Sequence, residues 1–453
     1  MGFSAKIFMR RYFTRETALD EAEAIDSIRV YGHLLKSKAD LQPLMERIGD
    51  SRIVMLGEAS HGTHEYYMWR AYISRRLIEE KGFNFIVVEG DWPECYRLNR
   101  FVKGYDRESS SAFDVLNGFN RWPTWMWANW EIVALADWLL KHNTGLAKNR
   151  KAGFYGLDVY SLWESMENIM QYLRKTDPAA LQAAEEAFRC FEPFRKDTGT
   201  AYARATQFVP DLCKEEVVEM LRKIRERLPG YDSDPENVFS AEQNALVAAH
   251  AEEYYRTMIE GGPHSWNLRD RHMADTLERL LAFHGPDAKG IVWAHNTHVG
   301  DARATDMTDE GMFNIGELAR LEHPEKEVVL VGFGSYSGSV MAGRGWGAAM
   351  QSMELPEAKS GSWEDLLRRS GTENRLLIMD DLASGYLLME HRIGHRAVGV
   401  VYNPAYERYG NYVPSILPLR YDAFIYLDET KGLHPLHLEP HGHQVPQTYP
   451  FGV

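Results

Sequence analysis

Three apolar segments of the chain each end in ionisable side chains, the kind that carry acid–base chemistry. Short apolar runs of this type predict buried strands, and open α/β proteins place their reactive groups at the carboxyl ends of parallel strands. We therefore expect these side chains to meet in one site. They are Glu58 and His61 after the first segment, Glu89 after the second, and His295 and His298 after the third.

Glu58 and His61 lie three residues apart across a turn that leads from a predicted strand into a predicted helix. A carboxylate beside an imidazole raises the basicity of the ring and fixes its tautomer. A general base that acts through water requires both properties. The alternative is a helix cap, in which Glu58 or Ser60 accepts backbone N–H groups and His61 is only packed. The repetition of the pattern at two further strand ends favours chemistry.

Glu89 directly follows the apolar run Ile86–Val88, so we expect its side chain to be buried. A buried glutamate must be paired, protonated or bound to a metal. Asp91 lies two residues before Pro93, which favours the first positions of a helix, so Asp91 is more simply explained as a helix cap. His295 and His298, three residues apart, could face one cleft, although a packed turn histidine explains either one alone equally well.

Two arginines and a tryptophan cluster could bind a substrate. Arg70 lies on the helix expected after His61, and Arg269 begins the helix before the fourth strand. Either guanidinium could stabilise an oxyanion or bind a carboxylate, although arginines on helices are usually solvated. The cluster supplies an apolar wall for a bulky substrate or a wedge in the core. The cluster comprises Trp122, Trp125, Trp127 and Trp130, and the first three are the ones expected to contact a substrate.

Composition limits the class of protein. The 453 residues have a formal net charge of −14 and 44% hydrophobic residues, which argues against nucleic-acid binding. No segment approaches the roughly 20 apolar residues of a membrane span. Cys95, Cys190 and Cys213 are widely spaced, which predicts a reducing compartment, free thiols and no cysteine-based zinc site. We therefore expect a cytoplasmic protein, with no membrane or nucleic-acid partner.

The pattern of apolar segments predicts an α/β fold of three layers, with a mainly parallel central sheet flanked by helices. Continuous Val/Ile/Leu/Phe runs are typical of strands buried on both faces. A helical insertion is expected between the third and fourth strands, and the last two strands are expected to be antiparallel or to lie at an edge. Strands are predicted at 52–57, 84–89, 153–157, 290–294, 327–333, 375–379, 396–402 and 422–427. Helices are predicted at 16–28, 41–48, 161–175, 178–191, 212–227, 238–260 and 266–284.

This pattern divides the chain into four parts: residues 1–159, the first part of the α/β core with N-terminal helices; 160–285, a helical insertion or cap; 286–432, the second part of the core; and 433–453, an irregular tail. The tail contains His437, His441 and His443 without a carboxylate at metal spacing, so we interpret them as surface residues. The spaced glycines of Gly332–Gly338 are only a weak signal for a dinucleotide site.

Four motifs in this order resemble the erythromycin esterase family over about residues 30–430. The resemblance depends on Gly57-Glu-Ala-Ser-His-Gly62, Glu89, Asn267–Met273 and Trp293-Ala-His-Asn-Thr-His-Val299. It implies that an ester or macrolactone is hydrolysed by activated water without a covalent serine intermediate. It also implies a role in macrolide resistance. His61 is implied as the general base, supported by Glu58, Arg70, Glu89, His295 and His298. His64 is an additional histidine to which the resemblance assigns no role.

Two other functions stay open. One is a metal-dependent hydrolase of a phosphoester or amide, in which His61, Glu89, His295 and His298 hold a divalent ion. The other is a non-catalytic homologue that binds a small molecule. The esterase prediction needs no cofactor. The sequence does not determine the substrate or the oligomeric state.

Overall fold

The computed structural model describes residues 20–106, 108–197, 200–206, 213–227, 234–258, 262–382, 388 and 391–438. These residues belong to two compact units. The first comprises the described residues of Met1–Thr63, Asn296–Asp306 and Gly316–Gly432, and the second those of His64–His295, Met307–Ile315 and Leu433–Val453. Among them, no helix has both the length and the hydrophobicity needed to span a bilayer. The four-part division made from the sequence stays a prediction.

The fold is mixed α/β, with a central sheet flanked by helices, which confirms the predicted class. In the first unit, strands β2 (Ile53–Leu56) and β11 (Ala423–Thr430) both run parallel to β6 (Val328–Gly343). Antiparallel pairing joins β8 (Arg375–Ile378) to β11, β1 (His33–Leu34) to β8 and β7 (Met350–Leu355) to β6. A separate antiparallel pair is formed by β9 (Ile393–Arg396) and β10 (Tyr412–Ser415).

Three strands of the second unit are parallel: β3 (Phe85–Asp91) lies between β4 (Gly153–Asp158) and β5 (Gly290–Trp293). Every residue of the three is buried, as their apolar composition predicts. The register of β3 against β4 shifts between Val88 and Asp91. This irregularity lies at the carboxyl end of β3, where the ionisable residues follow.

Helices alone occupy the described chain between β4 and β5, which confirms the predicted insertion. Asp234 caps one of them, and Pro235 is its first residue, which are positions that these residue types favour. An apolar cluster that includes Met166, Ile169 and Met220 forms their core. The helices are Leu162–Thr176, Pro178–Phe191, Thr200–Thr206, Lys214–Arg227, Pro235–Thr257 and His264–His284. The sequence did not predict Thr200–Thr206.

The other helices lie outside this insertion. In the second unit they are His64–Lys81, Trp92–Val102, Ala112–Asn117 and Trp130–Asn143. In the first unit they are Glu21–Tyr31, Gln42–Ile48, Asn296–Val299, Trp363–Ser370, Met379–Leu382, Glu407–Gly410 and Leu417–Arg420. Helix Ile315–Glu322 also belongs to the first unit except for its first residue, which is assigned to the second. The predicted helix at 16–28 overlaps Glu21–Tyr31, and its residues 16–19 lie outside the described residues.

For the last two predicted strands, the bounds of one were wrong and the expected antiparallel pairing of the other was confirmed. Of residues 396–402, only Arg396 belongs to a strand, because Val398 and Val401 make isolated bridges to Ser60 and Gly343 instead. The strand predicted at 422–427 is β11, which is antiparallel to β8 as expected but lies inside the sheet. Strands β1, β7 and β10 were not predicted, because they are short or rich in polar residues.

The glycines of Gly332–Gly338 lie within strand β6 and not in a phosphate-binding turn. A Cβ atom at Gly332 would lie 2.7 Å from the ring of Tyr421 and 2.8 Å from that of Phe424, and one at Gly334 would lie 2.7 Å from the Phe424 ring. Gly332 and Gly334 therefore make room for aromatic side chains, whereas a side chain at Gly338 would meet the Thr430 backbone. The weak dinucleotide signal thus has a packing explanation.

Cys190 and Cys213 form a disulfide, which contradicts the prediction of three free thiols. Both belong to the apolar cluster of the helical insertion, and their Cα atoms are 5.8 Å apart. Packing of helix Pro178–Phe191 near the start of Lys214–Arg227 brings them together, which their separation along the chain did not indicate. The cysteines therefore no longer argue for a reducing compartment. Cys95 remains a buried free thiol, and burial raises the pKa of that thiol well above its ordinary value.

The disulfide should stabilise the helical insertion. Replacing both Cys190 and Cys213 by serine should lower the free energy of unfolding by about 3 kcal/mol, because the closed loop of 23 residues restricts the unfolded chain. Denaturant unfolding, followed through the helical signal with and without reductant, measures this free energy. The wild-type protein should lose the same stability on reduction, whereas the double variant should not respond. Equal stability of oxidised and reduced wild-type protein would contradict the prediction.

Candidate functional site

The turn at residues 57–63, which carries Glu58 and His61, is held to the rest of the first unit by its own backbone. The N–H of Gly57 donates to the Val331 carbonyl at 2.8 Å, and the Gly62 carbonyl accepts the N–H of Met341 at 3.0 Å. The carbonyl of Ala59 accepts a further N–H, from Val398, at 2.8 Å. The hydroxyl groups of Ser60 and Thr63 are also hydrogen bonded to each other. A turn fixed at so many points holds its side chains in defined positions.

His61 and Glu58 form a buried pair within this turn. The Nδ1 atom of His61 is 2.9 Å from the Oε1 atom of Glu58. Glu58 is fully buried, and His61 is 7% exposed. A carboxylate oxygen can only accept a hydrogen bond, so Nδ1 carries the hydrogen and Nε2 is the ring nitrogen that Glu58 does not engage. Glu58 therefore bonds the histidine, as the chemical interpretation of the motif expects.

Asn296 connects the histidine motif to β6 in the first unit. Its backbone N–H donates to the Glu58 carbonyl at 2.8 Å, and its side-chain amide donates to the Phe333 carbonyl at 2.6 Å. The amide also lies 3.1 Å from Nε2 of His395, whose Nδ1 is 2.6 Å from Glu364. His298, on the short helix that Asn296 begins, is 2% exposed. Asn296 therefore positions Glu58 from a distant part of the chain.

Glu89 belongs to an ion network in the second unit. Its Oε1 atom accepts from Nη2 of Arg269 at 2.6 Å, and its Oε2 atom accepts the backbone N–H of His295 at 2.8 Å. Arg269 also donates to both carboxylate oxygens of Asp158, at 2.9 and 2.8 Å. Burial alone would lower the pKa of Arg269, but Asp158 and Glu89 raise that pKa well above its ordinary value. Because a guanidinium repels a cation, this arrangement favours an ion-pair role for Glu89 over the predicted metal role.

A second buried ion pair follows the same strand. Arg121 bonds both carboxylate oxygens of Asp91, and its guanidinium lies 5.4 Å from the centre of the Tyr160 ring. The guanidinium of Arg269 lies 4.9 Å from the same ring centre. Tyr160 therefore contacts both arginines and connects the two ion pairs. Asp91, interpreted above as a helix cap, makes no side-chain cap hydrogen bond.

Glu94 is a candidate acid that the sequence analysis missed. It lies in the first turn of helix Trp92–Val102, three residues after Asp91. Burial, and next the charge of Asp91, raise the pKa of the Glu94 carboxyl to about 8. A carboxylic acid that keeps its proton near neutral pH can donate it. Two acids three residues apart after a buried strand were a visible signal for this.

Arg70 and the tryptophans are placed by packing. The Arg70 guanidinium lies 4.4 Å from the ring centre of Tyr67 and 4.7 Å from that of Trp293, and the residue is fully buried. It is therefore not a solvated helix arginine. The indole of Trp127 donates to the Glu89 carbonyl at 3.1 Å, so it supports the end of β3.

The remaining tryptophans predicted to bind substrate pack against each other. The ring centres of Trp122 and Trp125 are 5.5 Å apart, and Trp125 is 1% exposed. Burial of this kind agrees with the core wedge, while contact with a substrate stays a prediction. His437 is half-buried and lies 2.9 Å from the Asn117 carbonyl, whereas His441 and His443 lie outside the described residues.

The structure places the predicted residues in both units. Glu58, His61 and His298 belong to the first, and Glu89, His295, Arg70, Arg269, Trp122, Trp125 and Trp127 belong to the second. Within the units it brings together Glu58 with His61, and Glu89 with Arg269 and the backbone of His295. One site that contains all of them stays a prediction.

A family model described as "Erythromycin esterase" matches residues 78–430. The chain belongs to the erythromycin esterase family. The turn that contains Glu58 and His61 precedes the matched range. Family membership supports a hydrolase of that type and a small-molecule substrate.

Three of the proteins that this chain resembles have diverged from it in sequence. The chain is 24% identical over 371 residues to erythromycin esterase type II of Escherichia coli, which covers 76% of this chain and 85% of that protein. A protein from Bacillus cereus superposes with a TM-score of 0.76 at 20% identity, covering 92% of this chain and 99% of that one. A mutant erythromycin esterase in an open conformation superposes with a TM-score of 0.64 at 16% identity, covering 87% and 94%. The two structures show the shared fold.

Close packing of Gly62 should make the turn intolerant of a side chain in this family member. A Cβ atom there would lie 1.9 Å from the Met341 carbonyl oxygen. Gly62→Ala should therefore displace the turn and lower the free energy of unfolding by about 1–3 kcal/mol. Gly399→Ala is the matched control, since a Cβ atom at Gly399 meets nothing within 4 Å. Denaturant unfolding of both variants measures the difference, and equal stability would contradict the role assigned to Gly62.

The raised pKa of Glu94 should make stability depend on pH. The folded pKa of about 8 lies above the ordinary value of 4.5, so folding favours the protonated form. The resulting stabilisation is complete below the unfolded pKa and is lost as the pH rises to about 8. Glu94→Gln should remove this dependence, of about 2–4 kcal/mol.

Urea unfolding at pH 5, 6.5 and 8 measures the effect of Glu94→Gln. The exposed Glu108 belongs to the same unit. Glu108→Gln is the control, and its free energy of unfolding should change with pH as that of the wild-type protein does. If the free energy of unfolding of Glu94→Gln changed with pH as much as that of the wild-type protein, Glu94 would not hold its proton in the folded protein.

Proposed function

We propose that this protein hydrolyses an ester or lactone bond with water activated by His61. The observation that supports the proposal most directly is the buried hydrogen bond between Nδ1 of His61 and Glu58, 2.9 Å long, on a turn fixed by its backbone. A carboxylate in this position holds the ring in the tautomer whose Nε2 atom accepts a proton. Membership in the erythromycin esterase family supports the reaction class.

In the proposed reaction, Nε2 of His61 takes a proton from water while the water oxygen attacks the carbonyl carbon. Glu58 stabilises the imidazolium that forms, because its negative charge lies beside Nδ1–H. The tetrahedral intermediate then collapses, the bond from carbon to the alkoxy oxygen breaks, and the imidazolium returns a proton to the leaving alcohol. No covalent serine intermediate is required.

The roles of the other residues extend this proposal. Arg70, His295 and His298 are proposed to stabilise the oxyanion or to protonate the leaving alcohol, as the family resemblance implies. Glu89 fixes the backbone of His295 through its hydrogen bond, so we propose that it acts by positioning. Arg269 is neutralised by two carboxylates, which makes an orienting role more suitable than binding an anionic substrate.

The substrate is proposed to be a small ester or lactone. The Escherichia coli relative is named erythromycin esterase type II, so macrolides are the first compounds to test, followed by simple lactones and aryl esters. Resistance to macrolides and a cytoplasmic location are parts of the same proposal. A divalent ion at His61, Glu89, His295 and His298 is the alternative. It predicts that His61→Asn holds less metal than the wild-type protein, which elemental analysis of both proteins measures.

Replacement of His61 should remove the activity without unfolding the protein. His61→Asn keeps a polar side chain in the turn but cannot act as a base, so kcat should fall by at least about 100-fold on any ester the protein hydrolyses. Glu58→Gln keeps a hydrogen-bond acceptor and loses the charge, so a smaller fall is expected, with an altered pH profile. Ester hydrolysis and thermal unfolding are measured for each variant.

The control for these variants is His33→Ala, which removes an exposed histidine from strand β1. It should keep the wild-type rate. Full turnover in His61→Asn would overturn the assignment of the general base. Folded wild-type protein that binds candidate esters without hydrolysing any of them would instead favour the non-catalytic homologue.

A further inference from the structure

Two histidines and a glutamate that the proposed mechanism does not use converge in the second unit. Nδ1 of His64 lies 2.6 Å from Oε1 of Glu131, and Nδ1 of His434 lies 2.7 Å from the same oxygen. One potential ligand atom from each residue lies within 4.8 Å of the other two. Among the described residues, this is the one group of three or more such side chains with metal-like spacing.

We propose that His64, Glu131 and His434 form a binding site for a divalent transition-metal ion, with Zn²⁺ as the first candidate. Two imidazoles and one carboxylate are a ligand set that zinc commonly uses. The site is distinct from the metal set expected from the sequence, and its existence does not depend on the proposed esterase function.

The distances are close to those that an ion requires. With bonds of about 2.0–2.2 Å and tetrahedral angles, ligand atoms around zinc lie roughly 3.3–3.6 Å apart. The observed 2.6 and 2.7 Å separations from Oε1 therefore need to widen by less than about 1 Å. The His64 and His434 rings are perpendicular, with centres 5.2 Å apart, so their edges approach the carboxylate from different directions.

Three elements of the second unit position the ligands in advance. His64 is the first residue of helix His64–Lys81, and Glu131 lies in the first turn of helix Trp130–Asn143. His434 is fixed by its backbone, since its carbonyl accepts the Trp130 N–H at 3.0 Å and its N–H lies 3.3 Å from both oxygens of Glu131. Rigid backbone support of this kind reduces the cost of ordering a metal site.

Burial and charge are also suitable for a cation. The side chain of Glu131 is 2% exposed, that of His64 is 14% exposed and that of His434 is 41% exposed. A buried carboxylate supplies the negative charge, and the exposed part of His434 keeps the site in contact with solvent. Without an ion, both rings must carry hydrogen on Nδ1 to bond Glu131. With an ion bound through Nδ1, both rings carry hydrogen on Nε2.

The experiment uses the full chain, stripped with a chelator and titrated with Zn²⁺ against a chromophoric competitor. The wild-type protein should bind one ion tightly at this site. Glu131→Gln, which keeps the side-chain shape, and His434→Ala, at the most exposed ligand, should each weaken the affinity by at least about 10-fold. His437→Ala is the control, because this neighbouring histidine contacts the Asn117 carbonyl and should leave the affinity unchanged.

Substitution with Co²⁺ provides a second readout. Its visible absorption should show nitrogen and oxygen ligands in the wild-type protein and change in Glu131→Gln, and ¹⁵N NMR should show the change of tautomer in both rings. Circular dichroism confirms that each variant is folded. Equal Zn²⁺ affinity in all folded variants, or no ion bound by the wild-type protein, would show that the three side chains form only a hydrogen-bonded cluster. His61→Asn should bind Zn²⁺ normally, which separates this result from failure of the esterase proposal.

Discussion

The hydrogen bond between Glu58 and His61 depends on a constraint that neither residue supplies, namely the fixed backbone of the turn that contains them. Four of the hydrogen bonds that fix it come from Val331, Met341, Val398 and Asn296, all distant in sequence. A fully buried carboxylate needs hydrogen-bond partners in the folded protein, because removing its charge from water is unfavourable. The packing of the turn thus sets both the distance and the tautomer on which the proposed chemistry relies.

In the second unit, ion networks compensate for the desolvation of buried carboxylates. Glu89, Asp91 and Asp158 all lie at the carboxyl ends of β3 and β4, where a parallel arrangement collects polar groups. Each is bonded to an arginine, and Tyr160 contacts both guanidinium groups. Glu94 has no such full compensation, and its pKa is raised accordingly. Neighbouring acids at one strand end therefore reach different protonation states through different partners.

Histidines of similar appearance in the sequence have different environments in the structure. His61 is bonded to a glutamate within its own turn, whereas His64, three residues later, shares Glu131 with His434. In the first arrangement one carboxylate bonds Nδ1 of the ring and leaves Nε2 to accept a proton, which suits proton transfer. The second gathers three ligand atoms around one point, which suits an ion. The number of imidazoles around each carboxylate distinguishes the two.

The sequence by itself determined the buried strands, the helical insertion and the presence of ionisable residues at strand ends, because these follow from local apolar patterns, caps and spacing. It also indicated that Glu58 and His61 are partners, since they are three residues apart. Only the tertiary structure decided that Arg269 neutralises Glu89, that Cys190 meets Cys213, that β11 lies inside its sheet and that His434 joins His64. Each of these contacts joins residues far apart along the chain, and packing of the folded elements, which local periodicity does not encode, brings them together.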